Sequence, residues 1–182
     1  MNIIVKTASG HCLVRPDTSW ERKSGDLYLP DNAGPLSYSP IIFAHISRPG
    51  RSVGFRYAGR YYDCISYGIL LYPEGLLDGT PEGYASAISM NHISFLNYPL
   101  KEDFPAMGAE FRLYRDSEEI FRCTYEGREE IEKAIAEATA MIYIRSGDFI
   151  AVELKERAFL CEGPAHVNAT IGDARLMDFR VI

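Results

Sequence analysis

Two long apolar runs joined by a glycine-rich segment constrain the fold of this chain more than any other feature. The first run, L-S-Y-S-P-I-I-F-A-H-I-S, begins at Leu36, and the second, R-Y-Y-D-C-I-S-Y-G-I-L-L-Y-P-E-G, begins at Arg60. β-Branched and aromatic residues favour strands, and the glycines and proline between the runs interrupt both helix and strand. The pattern predicts two central strands joined by an exposed loop.

The segment between the runs is basic in an otherwise acidic protein. No Asp or Glu occurs from Asn32 to Tyr62, although the chain has 25 acidic residues and a net charge of −6. The loop instead carries four arginines within thirteen residues: Arg48, Arg51, Arg56 and Arg60. Such a patch suits a small anion or the acidic face of a protein partner. The alternative interpretation is a solvated loop that only connects two strands.

Length and composition limit the other classes of function. The 182 residues fit a single domain, 1–182. The negative net charge argues against nucleic-acid binding, because affinity for phosphate backbones comes from Lys and Arg. We expect no membrane span, since no apolar run approaches the ~18 residues that cross a bilayer. The N-terminus has no leader-like apolar core, which predicts a cytoplasmic protein. The four cysteines form no C-x-x-C pair, and Cys64 and Cys123 are interpreted as small buried apolar residues.

The remaining segments predict more strands and two helices. Thr80 and Pro81 have the residue types of a helix N-cap and first turn, for a short helix to about Ser89. Arg128 to Met141 has apolar residues at helical spacing and is predicted as the long helix. R-P-D-T at Arg15 to Thr18 is predicted as a loop. Other predicted strands lie at Met1 to Val5, at Asp26 to Pro30, in a hairpin around R-D-S-E, and in D-F-I-A-V-E-L, R-A-F-L-C and R-L-M-D-F-R-V-I.

The order of several short motifs resembles the fumarylacetoacetate hydrolase family, including its acylpyruvate hydrolase and isomerase members. The motifs are R-P-D-T, Y-L-P-D, I-S-R-P-G-R, A-G-R-Y-Y-D, F-R-L-Y, I-E-K-A-I-A, R-S-G-D-F-I and I-G-D with D-F-R-V-I, between about Val14 and Ile182. The resemblance implies a mainly β (α+β) fold, a mixed β-sandwich roll with one long helix, and a homodimer.

The same resemblance implies a metal site whose residues differ here. In that family a Glu-x-Glu pair on the first central strand and an Asp on the second hold Mg²⁺ or Ca²⁺, which stabilises the enolate formed from a β-diketo acid. The corresponding positions of this chain are Ser39, Ile41 and Leu70. The resemblance therefore predicts a chain that has lost the divalent cofactor.

The family's other working residues are also replaced in this sequence. Its lysine has no counterpart, because no Lys occurs from Arg51 to Leu100, and Asn91 stands where it has an Asp. Its Gly-Thr-Pro corresponds to V-E-L at Val152 to Leu154, and its N-terminal histidine segment is absent, since His11 lies too close to R-P-D-T.

No other catalytic constellation is apparent. His45 and Asp63 are interpreted as hydrogen-bonded structural residues, and His92 and His166 as solvated loop residues. Ser37 and Ser39 lie in no nucleophile motif. We therefore expect a pseudoenzyme that serves as a binding, regulatory or structural subunit. The alternative is a hydrolase, isomerase or decarboxylase acting on a small oxo- or diketo-acid through a relocated site.

Overall fold

The computed structural model describes residues 1–23, 25–100 and 103–182, which form a mainly β protein. Its two α-helices within these residues are α1 (Pro81–Ser89) and α2 (Glu129–Met141). Its strands are β1 (Asn2–Lys6), β2 (Cys12–Pro16), β3 (Trp20–Glu21), β4 (Leu36–Ile46), β5 (Tyr62–Pro73), β6 (Ser94–Phe95), β7 (Glu110–Arg115), β8 (Glu118–Thr124), β9 (Phe149–Glu153), β10 (Ala158–Cys161), β11 (Ala165–Ile171) and β12 (Ala174–Val181).

The described strands form two sheets, and the larger is built around the β4–β5 pair. Its order is β2-β1-β9-β4-β5-β6-β3, with β10 also paired to β4. β4 and β5 run antiparallel from Leu36 opposite Pro73 to Ile46 opposite Tyr62. The smaller sheet has the order β12-β11-β7-β8. The two longest apolar runs of the sequence are thus the centre of the larger sheet.

Each face of the larger sheet is covered by its own apolar core. Because side chains alternate along a strand, Ile42 and Ile65 face a core that includes residues of the smaller sheet and of α2. Ile41 and Leu70 face the opposite core, which also contains Trp20 and Ile88. Burial on both faces explains why β4 and β5 are almost continuously apolar.

The structure confirms the mainly β fold, the two central strands, the β7–β8 hairpin and both predicted helices. Thr80 is the N-cap of α1, and its Oγ1 accepts a hydrogen bond from the Gly83 amide at 3.0 Å. In α2 the buried residues are Ile131, Ala134, Ile135, Ala138 and Thr139, which matches the predicted apolar stripe closely. No helix among the described residues is long and apolar enough to cross a membrane.

Three local predictions are wrong. Asp26 to Pro30 is not a strand, because only Leu27 forms a bridge, to Val181. The predicted loop at Arg15 to Thr18 begins inside β2, which ends at Pro16. Strand β11 was missed because its buried positions alternate with polar ones in A-H-V-N-A-T-I, a segment with few large apolar residues. His166 is therefore a strand residue and not a loop residue.

The loop between β4 and β5 is better ordered than a simple connector. Phe55–Arg60 form a short 3-10 helix, and Val53 and Ala58 are buried. The Ser52 amide donates to the carbonyl of Thr139 in α2 at 2.8 Å. The backbone of this loop is therefore docked on the long helix, while its arginine side chains stay exposed.

Candidate functional site

The three positions that the sequence equates with metal ligands lie side by side on one face of the larger sheet, here called the central face. Ser39 on β4 pairs with Leu70 on β5, and Ile41 follows two residues along β4. All three side chains are fully buried. Residues that the whole connecting loop separates in the sequence therefore lie next to each other in the sheet.

The surroundings of these positions are apolar. Ile41 and Leu70 belong to a buried cluster with Phe43 and Phe149, and Ile88 of α1 is part of the same cluster. Phe149 packs edge-to-face with Phe43, at a centroid distance of 5.7 Å. The side chain of Ile88 and the rings of Phe43 and Phe149 therefore pack in the same cluster as Ile41 and Leu70.

A divalent cation does not fit this set of donors. Mg²⁺ requires near-octahedral oxygen ligands, and Ca²⁺ requires six to eight. Ile41 and Leu70 provide no donor atom, and Ser39 provides one hydroxyl. The Ser39 Oγ is buried and has no hydrogen-bond partner within residues 1–23, 25–100 and 103–182. Within the same ranges, no group of three or more His, Cys, Asp or Glu side chains could hold a metal ion.

One carboxylate, Glu153, does lie beside these positions. Glu153 ends β9 and pairs in register with Ile41. Its Oε1 accepts a hydrogen bond from the Tyr72 hydroxyl at 2.5 Å, and its Oε2 accepts one from the Ala8 amide at 3.0 Å. Burial raises the pKa of Tyr72 far above its usual value, with Glu153 adding to the rise, so the phenol stays a proton donor. Both oxygens of this carboxylate therefore already have protein partners.

A buried arginine, Arg15, lies over the ring of Tyr72. Arg15 is fully buried, and both of its Nη atoms donate to the carbonyl of Leu71 at 3.2 Å. Nη1 also donates to Ser94 Oγ at 3.2 Å, and Cζ lies 4.4 Å from the centroid of the Tyr72 ring. Tyr72 thus contacts a buried positive charge with its ring and a buried negative charge with its hydroxyl.

A cleft of about 570 Å³ opens next to Glu153 and Tyr72. The β1–β2 turn forms one wall, Tyr84 of α1 contributes to another, and Arg157 follows β9 in the chain. The Arg157 Cζ lies 5.2 Å from the Tyr72 ring centroid and 6.0 Å from that of Tyr84. This cleft, here called the Arg157 cleft, combines aromatic walls with one guanidinium and with nearby carboxylates.

The four arginines of the arginine loop (Arg48–Arg60) are all exposed, as the sequence predicted. The guanidinium carbons of Arg56 and Arg60 lie 5.4 and 5.3 Å from the centroid of the Tyr57 ring. The ion pairs formed among the described residues include none of the four. Arg56 and Arg60 thus both lie near the Tyr57 ring, and all four arginines remain exposed to solvent.

The remaining candidate residues have structural partners. His45 Nδ1 lies 2.8 Å from Asp63 Oδ1, and the His45 ring stacks on Tyr98 at 4.2 Å, which agrees with the structural interpretation of both residues. The His166 side chain is 43% exposed and also contacts Asp178. His92 also has a partner, because its Nδ1 lies 2.8 Å from Glu21 Oε2.

The cysteines fit the predicted structural role to different degrees. Cys64 is buried, and its burial raises the pKa of the thiol to about 11, so the thiolate nucleophile is disfavoured. Cys123 is only partly buried, although its pKa is also raised to about 11, again mainly by desolvation.

Four residues of this region were not singled out from sequence: Arg15, Tyr72, Glu153 and Arg157. A signal was available for two of them, because a lone Glu closes the apolar run F-I-A-V and an arginine follows C-L-V in a strand. Charged residues at strand positions with apolar neighbours need partners when buried. Those partners lie far away in sequence and could be identified only from the fold.

Comparison with solved structures shows a shared fold over the whole chain. A protein described as a fumarylacetoacetate hydrolase family member from Yersinia pestis matches 100% of this chain and 92% of its own, at 13% identity and a TM-score of 0.81. Fumarylpyruvate hydrolase from Pseudomonas aeruginosa, in complex with Mn²⁺ and pyruvate, matches over 100% and 89%, at 14% identity and a TM-score of 0.81.

An isomerase shows the same likeness. The 2-hydroxyhepta-2,4-diene-1,7-dioate isomerase from Mycobacterium marinum matches 100% of this chain and 74% of its own, at 15% identity and a TM-score of 0.81. No family sequence model matches the chain, and no curated protein does. The likeness is therefore one of fold.

Proposed function

We propose that this chain, which has the fumarylacetoacetate hydrolase fold, is a binding protein without the metal-dependent chemistry of hydrolases built on that fold. It would act as a regulatory or structural subunit, as a cytoplasmic homodimer. Its contacts with an acidic protein partner or a small anion would be made by the exposed arginines of the arginine loop, which have no ion-pair partner among the described residues.

One observation carries the proposal: Ile41 and Leu70 are fully buried in an apolar cluster where the resemblance places carboxylate ligands. Burying two isolated carboxylates there without a cation would cost far more than the hydrocarbon side chains do. Ile41 and Leu70 are fully buried among apolar neighbours, so this packing needs no bound metal ion.

The metal-dependent reactions of β-diketo acids need the cation that these positions would hold. Cleavage or isomerisation develops negative charge on an enolate oxygen, and a preorganised cation or donor must stabilise that charge. On the central face the buried guanidinium of Arg15 already donates to a backbone carbonyl and to Ser94. Loss of one oxyanion donor alone commonly lowers the rate by about 10² to 10³. We therefore infer that the metal-dependent reaction does not take place in this protein.

A second candidate function is catalysis on a small oxo- or diketo-acid through a relocated site. The specific observation in its favour is the Arg157 cleft, which places a carboxylate, a phenol and a guanidinium near one another. However, both oxygens of Glu153 are held by hydrogen bonds, so this carboxylate is poorly placed to act as a free general base. The binding function is accordingly the better supported of the two.

A turnover assay separates the two candidates. The purified protein is incubated with fumarylpyruvate and with simple acylpyruvates, with Mg²⁺, Mn²⁺ or EDTA, and the diketo-acid absorbance is followed. The Pseudomonas fumarylpyruvate hydrolase serves as the positive control. We expect no loss of absorbance above the no-protein control in any condition. Metal-dependent turnover would contradict the proposal, whereas turnover that persists in EDTA would favour the relocated site.

A further inference from the structure

We propose that the arginine loop and a groove beside it form a docking surface for a short acidic segment of another protein that also carries one large apolar side chain. The acidic groups pair with the exposed arginines, and the apolar side chain enters the groove. The inference rests on the proposed function, which assigns an acidic partner or a small anion to this loop, and it adds the partner's class and its apolar anchor. No residue lines both this groove and the Arg157 cleft, and Ser39, Ile41 and Leu70 line neither.

The groove beside the loop has a volume of about 670 Å³. It is lined by Phe55 of the loop, by Phe104, Pro105 and Met107 of the segment before β7, and by Arg128 at the start of α2. Phe55 is 46% exposed and Met107 is 70% exposed. Exposed apolar side chains that are grouped beside polar residues mark interaction surfaces. The volume lies within the range of ligand pockets, so one large side chain of a partner can enter it.

The charges of this surface place the acidic groups of the partner on the loop. The loop carries four exposed guanidiniums and no carboxylate. Two carboxylates line the groove, and each has a partner: Glu129 Oε1 lies 2.8 Å from Lys133 Nζ, and Glu132 Oε1 accepts a hydrogen bond from the Tyr62 hydroxyl at 3.0 Å. Negative groups are therefore attracted to the loop, while the groove suits an uncharged side chain.

The composition of the loop is that of an interface centre, which is rich in Arg and aromatic residues and poor in Lys, Glu and Asp. Between Arg48 and Arg60 there is no Lys, Glu or Asp. Tyr57 is 46% exposed, as Phe55 is. The loop thus presents two aromatic rings and four guanidiniums to a partner.

The backbone of the loop is fixed before any partner binds. Gly50 and Ile144 exchange two backbone hydrogen bonds of 3.0 Å, and the Val53 amide donates to Thr139 Oγ1 at 3.0 Å. Because the loop is already ordered, its ordering does not add to the entropy cost of association.

A peptide segment suits this surface better than a single-stranded nucleic acid, which also binds arginines and aromatic rings. The chain has a net charge of −6. A long phosphate backbone that extends beyond the loop meets this negative charge, whereas a short acidic segment contacts only the loop.

The test is a display selection from a library of random peptides against the purified protein at physiological salt. We expect the recovered peptides to combine several Asp or Glu residues with one large apolar residue at a fixed spacing. One recovered peptide is then titrated by fluorescence anisotropy, together with a form that has Ser at the apolar position and a form that has Asn and Gln at the acidic positions. Each change should weaken binding at least tenfold.

Variants of the protein locate the bound peptide. Phe55→Ser should weaken binding at least tenfold because it removes the apolar wall, while Phe55→Leu should stay within about threefold. Arg56→Gln combined with Arg60→Gln should weaken binding at least tenfold, because charge-assisted pairs are lost.

Matched controls lie elsewhere on the surface. Phe159→Ser, at a ring that is 58% exposed, and Arg22→Gln combined with Arg180→Gln should leave binding unchanged. Circular dichroism verifies that each variant is folded.

The outcomes separate this inference from the proposed function. Acidic peptides that bind equally well without an apolar residue, or that bind folded Phe55→Ser as tightly as the wild type, overturn the inference and leave the acidic partner standing. Recovery of no acidic peptide contradicts both. A uridine oligonucleotide that binds more tightly than the best peptide, or a dimer that Phe55→Ser dissociates in sedimentation, would overturn the inference by assigning the surface to nucleic acid or to a second copy of the chain.

Discussion

Ser39 and Leu70 lie opposite each other across the β4–β5 pair, and neither side chain has any exposed surface. Within the described parts of the chain the Ser39 hydroxyl has no hydrogen-bond partner, and Leu70 packs in a cluster with aromatic residues. Both positions are part of the buried core.

Replacement of Leu70 by Ala should behave as a core truncation. We expect the free energy of unfolding to fall by about 2–5 kcal/mol, because the leucine is fully buried in an apolar cluster and leaves a cavity. Urea unfolding followed by circular dichroism measures the change. Met141→Ala, at a side chain that is 68% exposed, is the control and should change stability by less than about 0.5 kcal/mol. A loss below about 1 kcal/mol for Leu70→Ala would show that the site is not closely packed.

Tyr72 and Glu153 should be energetically coupled. Tyr72→Phe removes the hydroxyl that donates to a buried carboxylate, and leaving that oxygen without its donor should cost about 1–3 kcal/mol. A double-mutant cycle with Glu153→Gln, measured by urea unfolding, should give a coupling of about 0.5–3 kcal/mol. Tyr143→Phe is the control for removal of an exposed hydroxyl. Strict additivity of the two changes would mean that the 2.5 Å hydrogen bond contributes nothing.

The β11–β12 hairpin should show an acid-dependent contribution from Asp178. The hydrogen bond from His166 and, to a smaller extent, the charge of Arg175 lower the pKa of this carboxyl in the folded state. A carboxyl with a depressed folded pKa stabilises the protein above its unfolded pKa of about 3.9, and this stabilisation is lost as the pH falls through the folded pKa. Asp178→Asn should therefore be less stable than the wild type at pH 6, and the difference should shrink below about pH 4.

The control for this pH dependence is Asp173→Asn, which removes one negative charge from the turn of the same hairpin. Urea midpoints of the three proteins between pH 3 and pH 7 provide the measurement. A difference between Asp178→Asn and the wild type that stays constant down to pH 3 would contradict the assigned cause.

The arginine loop should govern association with acidic partners. In the variant with Arg51→Ser, Arg56→Ser and Arg60→Ser, cross-linked partners recovered from the native lysate should be lost, because exposed guanidiniums provide the charge. A matched variant at three exposed arginines elsewhere, Arg22, Arg175 and Arg180, should keep them. Binding should also weaken with salt, since exposed charges are screened over ~8 Å at physiological ionic strength. Equal partner sets for both variants would leave the loop as a connector.

The sequence predicted those parts of the fold that depend on local patterns. The runs beginning at Leu36 and at Arg60 are long enough to predict strands from composition alone, and the Thr80-Pro81 pair marks a helix start through its own chemistry. Strand β11 was missed because its buried positions include the small residues Ala165 and Ala169. The strand is defined by its pairing with β7 and β12 in the smaller sheet, and not by a run of large apolar side chains.

The candidate site was predictable only in part. The structure places Ser39, Ile41 and Leu70 together on one sheet face, while their correspondence to metal positions stays a prediction. The pairing of Tyr72 with Glu153 spans 81 residues, and that of Arg15 with the Leu71 carbonyl spans 56. Such contacts are set by strand order, which local sequence patterns do not encode. The Arg157 cleft, which depends on the same strand order, was therefore not foreseen.

Melting curves show directly whether a divalent cation binds to and stabilises the protein. A ligand present at 100 times its Kd stabilises the folded state by about 2.7 kcal/mol, which for a chain of this size raises the Tm by roughly 5–10 °C. Melting curves are recorded in EDTA and across titrations of Mg²⁺, Mn²⁺ and Ca²⁺ up to millimolar concentrations. We expect the same Tm in every condition, because Ile41 and Leu70 offer no ligand atom. A reproducible, saturable rise with one of these metals, abolished by Ser39→Ala, would contradict it.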